Sequence, residues 1–204
     1  MAPPYERSVF INCPYDVEFA PLFHAIVLTV AARGFTPRSA LETGGTADPR
    51  IVRIVKGLMS SKYSIHDLSR FQGEGVENLS RFNMPLELGM ALAIRFMKDG
   101  TSTEHNWLAL LPAGVEHQKF VSDLVGYDMR DHDSQAPTVI KRVAGWLTEQ
   151  ADFIAPTPTA TSILASFEPF RALLEKAKQD SLGDLTWPAI IESARVTVNG
   201  MAIV

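Results

Sequence analysis

Apolar positions along the chain fall into two alternating rhythms. Ser8–Cys13 (SVFINC) is a short, near-continuous apolar and β-branched run, which predicts a buried strand ended by Pro14. From Asp16 or its neighbours, Phe19, Leu22, Phe23, Ile26, Val27 and Val30 recur at helical spacing, and Gly34 stands where a helix-ending glycine belongs. Phe35–Leu41 predicts a second, weaker strand. Glu42–Asp48 (ETGGTAD) reads as a loop, and Ile51, Ile54, Val55 and Leu58 mark a second helix whose Arg50, Arg53 and Lys56 form a solvated face. Tyr63–Leu68 (YSIHDL) predicts a third strand, followed by a glycine-containing loop over Ser69–Arg81. A helix then runs to about Met97, and Asn106–Leu111 (NWLALL) predicts a fourth strand stopped by Pro112. Beyond it the pattern predicts a short helix over Glu116–Val125, a short edge strand over Tyr127–Arg130 and a helix over Pro137–Leu147.

Strands thus alternate with helices four or five times, which implies right-handed crossovers and a parallel α/β sheet with helices on both faces. The first strand is expected to lie inside the sheet, flanked by the second and third. In such sheets ligands bind outside the carboxyl ends of the strands. Three loops meet there: Asn12–Asp16, Ser39–Asp48 and Asp67–Asn83. Ala151–Thr161 (ADFIAPTPTAT) has the composition of a linker. The chain therefore divides into an α/β domain over 1–150, a linker over 151–162 and a helical C-terminal appendage over 163–204. Within the appendage, Ile163–Ala177 predicts an amphipathic helix whose regular part starts near Pro169, and Trp187–Arg195 predicts another. Too small for a core of its own, the appendage is expected to cover the main domain or a second subunit, giving a homo-oligomer.

The stretch Arg81–Ala93 (RFNMPLELGMALA) carries the chemistry. Asn83 suits an N-cap and Pro85 the first turn, so Glu87 falls about one turn into a helix, where the partial positive charge favours a carboxylate. No Lys or Arg stands four residues to either side, so Glu87 forms no ordinary surface pair. Gly89, Ala91 and Ala93 would let a strand or ligand approach closely. The alternative is a solvated first-turn Glu that merely suits the dipole.

Composition narrows the function. A formal net charge of −4 argues against a general nucleic-acid binder. The single cysteine, Cys13, rules out an intramolecular disulfide framework and fits a reducing cytoplasm. The longest apolar run, Ala25–Ala32, is too short to span a bilayer, and MAPPYERS does not read as a secretory signal. Neither a phosphate-loop lysine motif nor a G-x-G-x-x-G follows a strand. The histidines at 24, 66, 105, 117 and 132 show no metal-ligand spacing, so no metal is expected. His24 reads as structural. His66 and Asp67 point to opposite faces of the third strand. Asp67, at that strand's carboxyl end, can accept hydrogen bonds from sugar hydroxyls or cap the Ser69–Arg70 turn. Arg70 and Arg81 bracket the loop and either bind a phosphate or remain surface charges. Cys13, without a neighbouring base in sequence, reads as a buried or pocket-lining thiol.

Pro85–Ala93 (PLELGMALA), preceded by a strand ending in Asp and a glycine-containing loop, resembles the nucleoside 2-deoxyribosyltransferases, whose E-L-G-x-A-x-A helix supplies a Glu nucleophile. Ser8–Asp16 (SVFINCPYD) is similar to the opening of Toll/interleukin-1 receptor (TIR) domains, a related flavodoxin-like fold whose enzymatic members use a helix Glu to cleave the nicotinamide bond of NAD. The likeness covers about the first three-quarters of the chain. It implies a flavodoxin-like fold and cleavage of an N-glycosidic bond, with Glu87 at the sugar cation and Asp67 orienting the sugar. Asn12, Cys13, Pro14, Tyr15, Arg70, Arg81 and Asn83 would then line the substrate. Asn83 and Arg81 stand where the transferases usually have Gly and Asp, which favours a nucleotide phosphate over a bare nucleoside. NAD or a nucleotide enters as substrate, no separate cofactor is expected, and the partners implied are small molecules, not membranes. A non-catalytic nucleotide-sensing or assembly module is the competing reading.

Overall fold

The computed structural model describes residues 3–42, 47–70, 82–97 and 104–201. Its strands are β1 (Ser8–Asn12), β2 (Thr36–Ser39), β3 (Tyr63–Asp67), β4 (Asn106–Pro112) and β5 (Arg130–His132). They form one all-parallel sheet in the order β2-β1-β3-β4-β5. Among the described residues seven α-helices surround it: α1 (Ala20–Ala32), α2 (Arg50–Met59), α3 (Asn83–Phe96), α4 (Ala136–Thr148), α5 (Ala160–Ala165), α6 (Phe167–Asp180) and α7 (Trp187–Asn199). This strand order is that of flavodoxin-like folds. β1 lies between β2 and β3, as expected, and the chain reverses its direction of travel across the sheet there.

Every residue of β1 and β3 is buried, so the two faces separate by alternation. Val9, Ile11, Tyr63, Ile65, Leu108 and Leu110 join α1 and α4 in the main core. On the other face, Phe10 packs with Ile54 and Leu58 of α2 and Ala91 of α3. Gly57 allows that approach: a Cβ there would stand 2.3 Å from the Phe10 ring. Gly34, at φ +77°, turns the chain out of α1 into β2. α1 is buried nearly all round, because Phe167, Phe170, Leu174, Trp187, Ile190 and Ala194 of the C-terminal helices complete the core against it. The 151–159 segment is also tied down. Arg33 Nη1 donates to Thr157 Oγ1 at 2.8 Å and to the Pro158 carbonyl at 3.0 Å, and Lys62 Nζ pairs with Asp152 at 2.7 Å.

Several expectations are corrected. Glu116–Val125 forms no α-helix but two 3-10 turns, His117–Lys119 and Ser122–Leu124. Only Leu124 of these six residues is buried, too little tertiary support for so short a helix. The edge strand lies at Arg130–His132 rather than 127–130, because Tyr127 packs its ring on Trp107, 5.0 Å between centroids. Ile163–Ala177 is split between α5 and α6, and Pro169 is the third residue of α6, where its missing N–H costs little. Asn83 does not cap α3; it is the first helical residue and Phe82 holds the cap position. Gly89 and Ala93 are exposed, with open space beside Gly89, so of the three small residues Ala91 alone is buried. Among the described residues no helix is long and apolar enough to cross a membrane.

Candidate active site

The buried stripe of α3 is Met84, Glu87, Leu88 and Ala91. Spacing of three and four residues makes this one face of the helix. Glu87 therefore points inward, at 3% exposure, from the first turns of a helix that opens at the carboxyl edge of the sheet. Burial pushes its carboxyl up from 4.5 to about 7, against the opposing pull of Arg50 and of a hydrogen bond from Asn12. Oε2 is buried without a hydrogen-bond partner among the described residues.

Asn12 is the last residue of β1 and is paired in register with His66 of β3, at the point where the strand order reverses. Its Nδ2 lies 3.1 Å from His66 Nδ1. His66 Nε2 lies 2.9 Å from Ser64 Oγ, which lies 3.0 Å from His105 Nε2. His105 Nδ1 lies 3.0 Å from the Ser61 carbonyl. Desolvation pulls His66 down to about 3 and lowers His105 as well, so both rings are neutral. A buried polar string thus runs from Asn12 towards the amino edge of the sheet.

The other expected residues fall around this string in different ways. Cys13 and Pro14 are buried. Burial, then the nearby Asp67, hold the Cys13 thiol well above its ordinary range, so it is no nucleophile. Tyr15 is half-buried; its hydroxyl donates to the Ile11 carbonyl at 2.9 Å and meets Ser39 Oγ at 3.0 Å. Arg70 is forked onto Asp16, at 2.7 and 3.1 Å, and reaches Glu18 at 3.1 Å. Asn83 is exposed, and Arg81 lies outside the described residues.

Asp67 belongs to the opposite face, with Tyr63 and Ile65, and does not hydrogen-bond Glu87. Its Oδ1 accepts from the Ser69 N–H at 2.8 Å, and its Oδ2 from His132 Nε2 at 3.0 Å. Ser69 Oγ stands 3.3 Å from the same His132 nitrogen. The grouping has the membership of a Ser-His-Asp triad but the wrong protonation. His132 Nδ1 accepts the Ser134 N–H at 3.0 Å, so Nε2 carries the proton and cannot take one from Ser69. The group fastens β3 to β5.

Two participants escaped sequence reasoning. Arg50, assigned there to a solvated face, lies over the Tyr15 ring at 5.2 Å and exerts its charge on Glu87, Cys13 and Tyr15. One signal pointed to it: a basic residue at the first position of a helix opposes the dipole. His66 carried no comparable signal, since it reaches Asn12 across 54 residues of sequence. A cleft of about 320 Å³ runs along β2 and α2, lined by Arg38, Ser39, Asp48, Arg53, Lys56 and Ser60, though not by Glu87. Among the described residues no group of three His, Cys, Asp or Glu could hold a metal ion. Chemically, the arrangement offers a buried carboxyl whose proton affinity burial raises, while the charge of Arg50 and the amide of Asn12 act on it in the opposite sense. In comparisons with protein-family models and with curated proteins, nothing matches this chain.

Proposed function

We propose that this chain breaks the N-glycosidic bond of a nucleotide, with NAD the favoured substrate and transfer of a (deoxy)ribosyl group between bases the nearest variant. The observation that carries the reading is Glu87: a buried carboxyl with one oxygen that has no hydrogen-bond partner among the described residues, at the strand-order reversal of a flavodoxin-like sheet. A buried ionisable group without a full set of partners costs stability, and such groups concentrate at functional sites. As the bond from C1′ to the base lengthens, the base leaves with the bonding electrons and C1′ becomes cationic. The ionised Glu87 stabilises that cation or bonds to it, and water or a second base then takes the sugar. Arg50, exposed at the start of α2 and without an ion pair among the described residues, suits a substrate phosphate. The substrate is a small molecule of the cytoplasm.

The test is release of base from NAD, NADP and a panel of nucleosides, followed by chromatography, for the wild type and Glu87→Gln. Turnover is expected to fall by roughly two to four orders of magnitude, the range for losing one strong charge-stabilising or nucleophilic group. A well-folded Gln variant with full activity removes Glu87 from the mechanism. The competing module reading is favoured by one observation, the 3% exposure of Glu87. It predicts saturable nucleotide binding by calorimetry with no base released by the wild type.

A further inference from the structure

Among the described residues, the hydrogen-bonded string from Asn12 to Ser61 has one consistent arrangement of protons. The Ser61 carbonyl can only accept, so His105 carries its proton on Nδ1. A neutral His105 then has a bare Nε2, which must accept the Ser64 hydroxyl proton. The Ser64 oxygen is left to accept from His66 Nε2. His66 Nδ1 is therefore bare and accepts, so Asn12 must turn an N–H, not its carbonyl, towards His66. That choice orients the whole amide. Its second N–H is left for Glu87.

We propose that His66 is the positioning residue of this site: its bare Nδ1, fixed through Ser64 and His105 by the Ser61 carbonyl, makes Asn12 present N–H rather than C=O to the Glu87 carboxylate. The string is a fixed orienting device and not a proton path, because it ends on a carbonyl that has no proton to give. An amide free to turn over would present its oxygen to Glu87, which suits the protonated acid and opposes the ionised one. The other groups acting at this site leave the choice open. Arg50 on α2 attracts the charge without orienting Asn12. Burial keeps Cys13 and Tyr15 neutral. Asp67 on β3 is occupied by Ser69 and His132, and Asp16 holds Arg70. The catalytic meaning of this device rests on the reading of Glu87 given above, but its test requires no turnover.

The test uses the full chain with 13C-labelled Glu and 15N-labelled His, the Glu87 signal being assigned with Glu87→Gln. The wild type is expected to show His66 as the Nε2–H tautomer. Ser64→Ala removes the acceptor for that proton, so His66 takes up the Nδ1–H tautomer, Asn12 turns over, and the Glu87 titration midpoint rises by about one pH unit. His66→Leu has the same effect on Glu87. His66→Asn places an acceptor oxygen where Nδ1 was and restores the wild-type midpoint, which a merely space-filling role for His66 would not require. A folded Ser64→Ala with unchanged tautomer and midpoint overturns the proposal, as does a folded His66→Asn that titrates like His66→Leu. Absence of base release from every substrate tried would sink the glycosidase reading and leave these results standing.

Discussion

Replacing Glu87 with Gln tests the physical reasoning most sharply through stability. Gln keeps the size and helix propensity of Glu and cannot ionise. In the folded chain burial raises the Glu87 carboxyl from 4.5 to about 7, so the folded state holds this proton more tightly than the unfolded state does. The resulting stability is complete below pH 4.5, declines through the interval and is gone above about 7. At ~1.4 kcal/mol for each tenfold change in proton affinity, the wild type loses about 3 kcal/mol across that interval. Gln loses nothing there. Glu87→Gln is therefore expected to be more stable than the wild type by about 3 kcal/mol at pH 8.5, equivalent to about 6–12 °C in Tm for a chain of this size. The two proteins should coincide near pH 4. Helix-dipole reasoning alone would give the opposite sign and only about 0.3–1 kcal/mol. Urea unfolding followed by circular dichroism, from pH 4 to 8.5, measures the difference and cancels the titration of every other group. A gap that stays constant with pH, or no gap at pH 8.5, would refute the picture of a buried, partly protonated carboxyl.

Other substitutions separate the remaining contributions. Arg50→Met removes the cation acting on Glu87, so the rising limb of a pH–rate profile for base release should move above pH ~7, with weaker binding of phosphate-bearing substrates than of nucleosides. Gly57→Ala drives a methyl into the Phe10 ring and should cost about 1–3 kcal/mol in urea unfolding, with no change in the Glu87 titration. Asp67→Asn leaves one oxygen to satisfy both the Ser69 N–H and His132 Nε2–H, and should cost about 1–3 kcal/mol of stability. Its turnover per folded molecule, measured at a temperature where the variant is fully folded, should fall less than that of Glu87→Gln.

The sheet was legible because burial on both faces writes itself into contiguous apolar runs: SVFIN, YSIHD and NWLALL are strands in the structure as in the pattern. Glu87 was legible for the same local reason, as the one charged residue in an otherwise apolar stripe with Met84, Leu88 and Ala91. Periodicity could not supply what depends on contacts distant in sequence. The cap that Asp67 gives the Ser69 N–H was one of its two local readings, but its bond from His132, 65 residues away, was not legible. Arg70 looked free in its loop, yet it is forked onto Asp16, 54 residues back. The close approach of helix to sheet was assigned to Gly89, Ala91 and Ala93 of α3; of these Ala91 does pack on Phe10, and Gly57 of α2, which the pattern did not mark, meets the same ring. Where the pattern predicted a helix over 116–125, it was the lack of anything to bury that prevented one.

The near-complete enclosure of α1 bears on how the chain is made. Strands β1 to β5 and helices α1 to α4 precede the residues that close over the outer side of α1, so during synthesis that side stays bare until Phe170, Trp187 and Ile190 have emerged. At the ordinary pace of about 5–20 residues per second, the interval between α4 and α7 lasts seconds, long compared with hydrophobic collapse. A nascent chain halted after α4 would display an oily helix on an otherwise complete sheet, the kind of surface that holding chaperones bind. Ribosome-stalled chains of graded length should therefore gain protease resistance in one late step, as α7 clears the exit tunnel, rather than after β5.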